Sequence, residues 1–341
     1  MTTDTYRPFE PGSFSRLIII GFGSPTVVAA KFAVECGLDV FVGASERQLD
    51  IVDANGDKVM ASLQALGIVP ELENKLSDFS FYQDEGGRAG DAVLSVGSPF
   101  IFRQNFLDLF PQRVFNSHGA PLPKWRGGGG YSWRILADER RGNACIHLVT
   151  TGIDGGDIVF QEGYTFANDL TCPREYEVEA AKHEAVAIEQ FLSILRDGGE
   201  LNLIRQDESQ STYFPRLHTP TQAWINWSWQ GKMVERFVRA FSHPYPGART
   251  LVNDGEVLIY HARFEASVDI DHPFFNGLIV RVDESDMMVV CEGGHLMISL
   301  NAIETDQTLQ VGDRLYTPQA KLDTALSFRP VYTPTGLKVK S

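Results

Sequence analysis

The sequence predicts an α/β protein with an open, mostly parallel, Rossmann-like sheet followed by a smaller β domain. Short apolar runs alternate with longer helical patterns through the first half of the 341 residues, which is typical of βαβ units. After about residue 205 the pattern changes to short strand-like runs separated by glycine turns. Closely spaced strands of that kind favour a small β-barrel.

The first half begins with a continuous apolar run, Arg16–Ile20, as expected of a strand buried on both faces of a parallel sheet. Pro173–Arg196 is a long amphipathic pattern that predicts the last helix of this half. The other elements predicted here are the helices Val27–Cys36, Asp53–Leu66 and Phe102–Phe110 and the strands Leu38–Gly43, Asp91–Val96 and Arg113–Asn116.

The second half contains one predicted helix, Lys232–Phe241, and six predicted strands. The strands are Trp224–Trp229, Thr250–Val252, Glu256–His261, Leu278–Val282, Met287–Cys291 and His295–Leu300. We therefore place an N-terminal domain at residues 1–205, a C-terminal β domain at 206–330 and a tail at 331–341.

The composition excludes several classes of protein. Thirty basic and 44 acidic residues give a net charge of −14, which repels phosphate backbones and disfavours a nucleic-acid partner. The four cysteines are widely spaced, so neither a disulfide framework nor a zinc site is expected. The N-terminus lacks the basic and long apolar segments of a signal peptide. These features predict a cytoplasmic protein with no membrane partner.

The turn Gly21–Thr26 invites comparison with the glycine fingerprint of dinucleotide-binding proteins. Position 26 is Thr instead of the third glycine, and Pro25 interrupts the turn. No acidic residue follows the second predicted strand until Glu46. A plain strand-to-helix turn explains this segment better than a nucleotide site.

Asn116 and His118 form the most informative pair in the chain. They lie where a predicted strand of the sheet ends, and side chains two residues apart share one face of a strand. Ligands of open α/β sheets bind at the carboxyl ends of strands. The Pro- and Gly-rich run after His118 is expected to form a long ordered loop that walls a pocket. Taken alone, the pair is better explained as a turn residue and a core histidine.

Asp154 changes that balance, because it lies in a glycine-flanked loop where its carboxylate can approach His118. An amide, an imidazole and a carboxylate together suit acyl-type transfer. A metal site fits these residues less well, since Asn is a weak ligand and no second His or Cys is expected nearby.

Several motifs resemble the 10-formyltetrahydrofolate-dependent formyltransferases, in particular the two-domain, methionyl-tRNA formyltransferase-like members. They are Asn116–His118, Leu122–Gly127 (LPKWRG), Gly152–Asp157 (GIDGGD), Tyr213–Leu217 (YFPRL), Trp224–Trp227 (WINW) and Phe237–Ala248 (FVRAFSHPYPGA). The resemblance covers about residues 15–325 and implies an open sheet of the formyltransferase type with an OB-like C-terminal barrel. The chain departs from many tRNA-type members at Gly127–Gly130, where they have Gly-Ala-Ala-Pro.

The resemblance also implies roles for individual residues. Asn116 would donate to the developing oxyanion, His118 would assist proton transfer, and Asp154 would orient or charge the histidine. The co-substrate 10-formyltetrahydrofolate would lie near Ser95, Gly97, Phe100, Gly152 and Ile153, with no metal involved. Lys124 and Arg126 would reach a phosphate of the acceptor, although a solvated loop explains both charges equally well.

The charge of one segment bears on which amine accepts the formyl group. In tRNA-specific members a basic insertion follows the second strand, whereas residues 43–57 here contain one basic and four acidic residues. The leading hypothesis is therefore the amine of a nucleotide-linked deoxyamino sugar. The alternatives are a small amine such as hydroxyornithine in siderophore assembly, then methionyl-tRNA, and last a non-catalytic binding module. A homodimer is left open.

Overall fold

The computed structural model describes residues 4–53, 56–84, 87–267 and 272–338. The strands are β1 (Asp4–Tyr6), β2 (Arg16–Gly21), β3 (Asp39–Ala44), β4 (Glu71–Leu72), β5 (Asp91–Val96), β6 (Val114–His118), β7 (Arg126–Gly127), β8 (Arg141–Leu148), β9 (Ile158–Thr165), β10 (Leu201–Leu203), β11 (Tyr213–Phe214), β12 (Ala248–Val252), β13 (Gly255–Ile259), β14 (Arg263–Ala266), β15 (Ile279–Val282), β16 (Asp286–Cys291), β17 (Gly294–Ser299), β18 (Ile303–Glu304), β19 (Tyr332–Thr333) and β20 (Gly336–Leu337). The helices are α1 (Ser24–Glu35), α2 (Glu46–Leu49), α3 (Val59–Ala65), α4 (Ser80–Asp84), α5 (Gln104–Leu107), α6 (Gly130–Ala137), α7 (Pro173–Arg196), α8 (Thr219–Gln222), α9 (Gly231–Ala240) and α10 (Gln319–Ser327).

The first half is built on a sheet in which seven strands of the described chain follow the order β4-β3-β2-β5-β6-β8-β9. The strands from β4 to β6 are parallel, and β8 and β9 are antiparallel to their neighbours. Leu17 to Ile20 are fully buried, because helices or loops cover both faces of β2. The expected open, mostly parallel sheet is confirmed.

The two faces of this sheet are covered differently. Helices α1 and α7 pack side by side on one face, where Ala30, Phe191 and Leu192 join a core with Ile19 and Phe115. The other face carries a cluster rich in phenylalanine, including Phe79, Phe81, Phe100, Phe106 and Phe110. Helix α7 has the predicted bounds, and its Pro173 stands at the first helical position, where a missing N–H costs nothing.

The second half contains two antiparallel sheets, one of the order β12-β13-β18 and one of the order β14-β17-β16-β15. Five of the predicted strands lie within or beside observed ones, and tight turns join β12 to β13 and β16 to β17. Helix α9 begins one residue before its prediction and ends one residue earlier. The OB-like barrel stays a prediction, because the observed strands are grouped in two sheets.

The two halves share part of their hydrophobic core. Ile135, Phe166 and Tyr176 of the first half cluster with Val234 and Phe237 of α9. Helices α6 and α9 are in contact, and the Ser132 hydroxyl donates to the Ala240 carbonyl at 2.8 Å. The chain between them, after β10, pairs as β11 in parallel with β7.

Five predicted features differ from the observed structure. Trp224–Trp229 is not a strand, because the Asn226 side chain accepts from Ser228 N–H and turns the chain. The helix expected at Asp53–Leu66 begins at Val59, since Asp53 accepts from the Asp57 N–H and holds a turn; residues 54 and 55 lie outside the described ranges.

The helix expected at Phe102–Phe110 is reduced to α5, because Leu109 and Phe110 make only i→i−3 bonds. The Gly-rich run is not a loop throughout, since α6 begins at Gly130. The tail differs too: residues 332–337 form the hairpin β19–β20, and the Tyr332 hydroxyl donates to the Leu217 carbonyl at 2.9 Å. None of the helices in the described ranges is both long and apolar enough to cross a bilayer.

Candidate active site

The candidate site lies where the parallel strands end. β5 and β6 run side by side with Ser95 opposite Asn116, and β8 places His147 on the other side of Asn116. Asn116 and His118 share one face of β6, as the spacing predicts. The sheet therefore brings Ser95, Asn116, His118 and His147 to one edge.

Asn116 is held by the neighbouring strand. Its Nδ2 lies 3.1 Å from His147 Nε2, and His147 Nδ1 lies 2.8 Å from the Leu148 carbonyl. The carbonyl requires a proton on Nδ1, so Nε2 accepts one N–H from the Asn116 amide. The amide has two N–H groups, and the second is available to a ligand.

His118 is fixed at its other end by the loop that follows. Its Nε2 lies 3.0 Å from the Trp125 carbonyl and donates to it, while Nδ1 lies 3.8 Å from Asp154 Oδ2. Burial lowers the pKa of His118, and the negative charge of Asp154 opposes that effect without cancelling it. The imidazole is therefore neutral near pH 7, with Nδ1 able to accept a proton beside a carboxylate.

Asp154 adopts a left-handed backbone conformation, with φ 49°, which Asp tolerates better than most residues. Its Oδ2 accepts the Gly127 N–H at 2.9 Å, and its Oδ1 lies 3.6 Å from His147 Nε2. Burial favours a raised pKa, but the positive charge of protonated His118, the nearby His147 and the hydrogen bond from Gly127 N–H outweigh it and hold the pKa of Asp154 well below its usual value. Asp154 is ionised at neutral pH.

These three groups open onto a cavity of about 490 Å³. All five residues expected to hold the co-substrate line it: Ser95, Gly97, Phe100, Gly152 and Ile153. Gly97 has φ 57°, and a Cβ there would lie 2.9 Å from the Phe22 ring, so both the turn and the packing require glycine. Ile153 is 61% exposed and Phe100 is packed against Phe79.

The other side of the cavity is lined by a face of α7 that the sequence analysis did not single out. Arg174, Glu177 and Glu184 recur at helical spacing along this face, and Tyr131 and Arg216 lie on the same side. Burial, and after it the charge of Glu177, raises the pKa of Glu184 to about 7, although the Ser117 hydroxyl donates to it. The sequence signal that could have found these lining residues is their spacing along one face of a predicted amphipathic helix.

The structure does not support the expected substrate contacts. Lys124 is exposed on the loop and Arg126 is 8% exposed, and neither lines the cavity. Arg126 instead forms an ion pair with Glu208 at 2.7 Å and donates to Gln206. The guanidinium is turned into the protein because the strand β7 directs it toward the segment after β10.

Gln206 and His147 are further residues that the sequence analysis missed. Gln206 is 7% exposed, and its Nε2 donates to the Asp154 and Gly156 carbonyls at 2.7 and 2.6 Å. His147 corrects the expectation that no second histidine is near His118, because the two ring centroids are 6.4 Å apart. Even so, no group of three His, Cys, Asp or Glu residues in the described ranges is arranged to hold a metal ion.

Comparison with known families agrees with this geometry. The model of the formyl transferase family matches residues 88–189, which include Asn116, His118 and Asp154, and the model of the formyl transferase C-terminal domain matches residues 218–315. The chain belongs to the formyltransferase family. It is a formyl-transferring enzyme, and the resemblance found in its motifs is confirmed.

Two curated relatives of this formyltransferase are named methionyl-tRNA formyltransferase. The protein from Ruminiclostridium cellulolyticum is 27% identical over 238 residues, which cover 69% of this chain and 73% of that protein. The protein from Polynucleobacter asymbioticus is 27% identical over 212 residues, 61% of this chain and 63% of that protein.

Two solved structures share the fold of this formyltransferase at 16% identity. One is WlaRD, a sugar 3N-formyltransferase solved with dTDP and 5-N-formyl-THF, with a TM-score of 0.62 over 87% of this chain and 99% of that one. The other is the N-formyltransferase from Helicobacter canadensis, solved with folinic acid and dTDP-3-aminofucose, with a TM-score of 0.64 over 84% and 98%.

Proposed function

We propose that this enzyme moves a formyl group from 10-formyltetrahydrofolate to the amine of a nucleotide-linked deoxyamino sugar. The observation that supports formyl transfer most directly is the convergence of Asn116, His118 and Asp154 at the floor of one cavity. An amide donor, a neutral imidazole and an ionised carboxylate are the groups that acyl transfer to an amine requires.

The folate supplies the formyl carbon that the amine attacks. As the new C–N bond forms, the second N–H of Asn116 donates to the oxygen that gains negative charge; one such donor is worth about 10²–10³ in rate. The Nδ1 atom of His118 accepts the proton that the amine loses, and Asp154 stabilises the imidazolium. The same proton can then pass to the leaving nitrogen, so the residues end the cycle as they began it.

The cavity has a suitable side for a folate. Gly97 and Gly152 let a ligand approach the backbone closely, and Ile153 and Phe100 offer apolar surface there. The two sugar formyltransferases named above were solved with 5-N-formyl-THF or folinic acid. We therefore assign this side to the folate, as the resemblance implies, with Ser95 at the strand end between the two sides.

The opposite side suits an acceptor that carries both phosphate and amine. Arg174 and Arg216 supply two positive charges, in place of the pair Lys124 and Arg126 proposed from sequence. Glu177 forms an ion pair with Arg174 at 3.2 Å, and Glu184, with its pKa raised to about 7, is only partly ionised at neutral pH. The structural relatives solved with dTDP and dTDP-3-aminofucose favour a nucleotide sugar. The curated relatives favour methionyl-tRNA, which is the second candidate, ahead of hydroxyornithine.

We further propose the division of the chain into a catalytic domain over 1–205 and an OB-like domain over 206–330. The network around Gln206 shows that residues just past this boundary contact the catalytic loop.

A formylation assay tests the proposal. Purified enzyme, 10-formyltetrahydrofolate and each of a panel of amino-sugar nucleotides, hydroxyornithine and methionyl-tRNA are combined, and products are detected by the mass gain of one formyl group. Formylation of a sugar nucleotide alone supports the proposal. Preferential formylation of methionyl-tRNA or hydroxyornithine identifies the corresponding alternative, and no formylation by an enzyme that binds folate contradicts a catalytic role.

A further inference from the structure

The segment that leaves the first half of the molecule is bonded to the loop that carries the carboxylate of the site. Gln206 Nε2 donates to the main-chain carbonyls of Asp154 and Gly156, at 2.7 and 2.6 Å. Both N–H groups of this amide are therefore used within one loop.

The other end of the Gln206 side chain is bonded as well. Its Oε1 accepts from Arg126 Nε and Nη2 at 3.2 and 2.7 Å. The Arg126 guanidinium also donates to both carboxylate oxygens of Glu208. Gln206 and Arg126 are 7% and 8% exposed, so water does not compete for the bonds between these two side chains, whereas Glu208 is exposed. We call Arg126, Gln206 and Glu208 the loop clamp.

The loop clamp acts on Asp154 from two directions. Gln206 donates to the Asp154 carbonyl, and Gly127 N–H, directly after Arg126, donates to the Asp154 carboxylate at 2.9 Å. Strand pairing fixes that donor, because Arg126 N–H and Gly128 N–H donate to the Thr212 and Phe214 carbonyls. The position of the carboxylate, 3.8 Å from His118 Nδ1, therefore depends on residues 206–214.

We infer that Gln206, anchored by Arg126, is a positioning residue for formyl transfer: it sets where the Asp154 carboxylate lies relative to His118. This inference rests on the proposed role of Asp154. Gln206 contacts neither substrate in this assignment and acts only through the loop. A displacement of about 1 Å in a reacting constellation can cost about 100-fold in rate, which sets the scale of the effect.

Two substitutions separate positioning from folding. Gln206→Glu keeps the shape and the bonds from Arg126 but replaces the two N–H donors with a carboxylate facing two carbonyl oxygens. Gln206→Met keeps the length and adds no charge. The matched control is Gln210→Met, because Gln210 is an exposed residue of the same segment that donates to Asp207 and not to the loop.

The experiment measures kcat and KM of the full chain, with the amine acceptor found in the formylation assay, well below the melting temperature of each variant. It also measures the pKa of the His118 imidazole by NMR. We expect Gln206→Glu and Gln206→Met to lower kcat by about 10- to 100-fold with KM changed less than about threefold. In Gln206→Met the pKa of His118 also falls further, because the Asp154 charge that raises it moves away. Gln210→Met changes neither quantity.

Asp154→Asn is measured beside them. If it lowers kcat while both folded Gln206 variants keep kcat within about twofold of the parent and Gln206→Met leaves the pKa of His118 unchanged, the inference about Gln206 is overturned and the proposed function stands. If Asp154→Asn leaves kcat unchanged, the role of Asp154 and the inference fall together.

Discussion

The side chains at the floor of the cavity are held by main-chain or neighbouring-strand groups on their far sides. His147 accepts from the Asn116 amide, the Trp125 carbonyl accepts from His118, and Gly127 N–H donates to Asp154. Their positions are therefore set before a substrate binds. Such preorganisation lowers the reorganisation that the transition state would otherwise require.

Replacing either group that acts on the reacting atoms is expected to slow the chemical step. We predict that Asn116→Ala and His118→Ala each lower kcat by at least about 10², because each group acts mainly in the transition state. KM should change much less. Steady-state kinetics of the folded variants check this, with His261→Ala, an exposed histidine of the second half, as the control. Near-normal turnover in either variant would show that its role is assigned wrongly.

Glu184 is expected to make stability depend on pH. Its pKa in the folded protein is raised to about 7 by burial and by Glu177, above its unfolded value, so the ionised form costs folding free energy at high pH. Glu184→Gln should raise the free energy of unfolding by on the order of 3 kcal/mol at pH 8, and the gain should vanish below about pH 4.5.

Denaturant unfolding at a series of pH values measures this difference. Glu179→Gln is the matched control on the same helix, because the hydrogen bond from Lys182 lowers the pKa of Glu179 and its loss should bring no gain at pH 8. An equal gain at pH 4 and pH 8 for Glu184→Gln would mean that packing, not ionisation, is responsible.

At the scale of elements, α7 links the core to the cavity. Ile188, Phe191 and Leu192 bury one side of the helix against the sheet, while Arg174 and Glu184 line the cavity. The helix is 24 residues long, so one rigid element spans both. The acceptor side is accordingly expected to be rigid along α7 and to be completed by Arg216 from the segment after β11.

Loss of Arg216 is expected to weaken acceptor binding. We predict that Arg216→Ala raises the KM for a nucleotide sugar about tenfold and lowers kcat less. A tenfold change corresponds to about the free energy that one charge-assisted hydrogen bond contributes to binding. Lys124→Ala is the control, since Lys124 is exposed and does not line the cavity. Kinetics with varied acceptor check both; a KM that responds to Lys124 and not to Arg216 would favour the substrate contacts expected from sequence.

The elements best predicted from sequence are those whose burial is visible locally. β2 is a short run of apolar residues, and α7 has a long periodic pattern with a proline at its start and Gly198 in the left-handed region just past its end. Asn116 and His118 were found because a strand places alternate residues on one face. Periodicity overestimated α5, since phenylalanines four residues apart pack equally well from a turn-rich segment.

The missed residues depend on contacts between distant parts of the chain. His147 reaches the site only because β8 is antiparallel to β6, and Gln206 only because the segment after β10 crosses the Asp154 loop. The internal ion pair of Arg126 is not predictable for the same reason: its partner Glu208 lies 82 residues further along the chain. A loop arginine considered by itself is expected to be solvated.

For the whole molecule, the net charge of −14 bears on the choice of acceptor. Binding of tRNA requires several Lys or Arg contacts to phosphates, and its affinity falls steeply with salt. We predict no formylation of methionyl-tRNA, and a KM for a nucleotide sugar that changes only slightly between about 50 and about 200 mM salt, because it presents two phosphates. The mass-gain assay at both salt concentrations checks this, and efficient formylation of methionyl-tRNA would reverse the choice of acceptor.

The pairing of β11 with β7 has a consequence for recombining this enzyme with its relatives. A chimera joined at residue 205 would inherit Gln206 and β11 from one parent and the Asp154 loop from the other, so both must match to keep the loop in place. A crossover after Leu217 keeps these partners together and exchanges α8, α9 and the later sheets. Any such exchange must still match Ile135 and Phe166 to the new α9. The boundary suggested by composition and the boundary that preserves inherited contacts therefore differ by about a dozen residues.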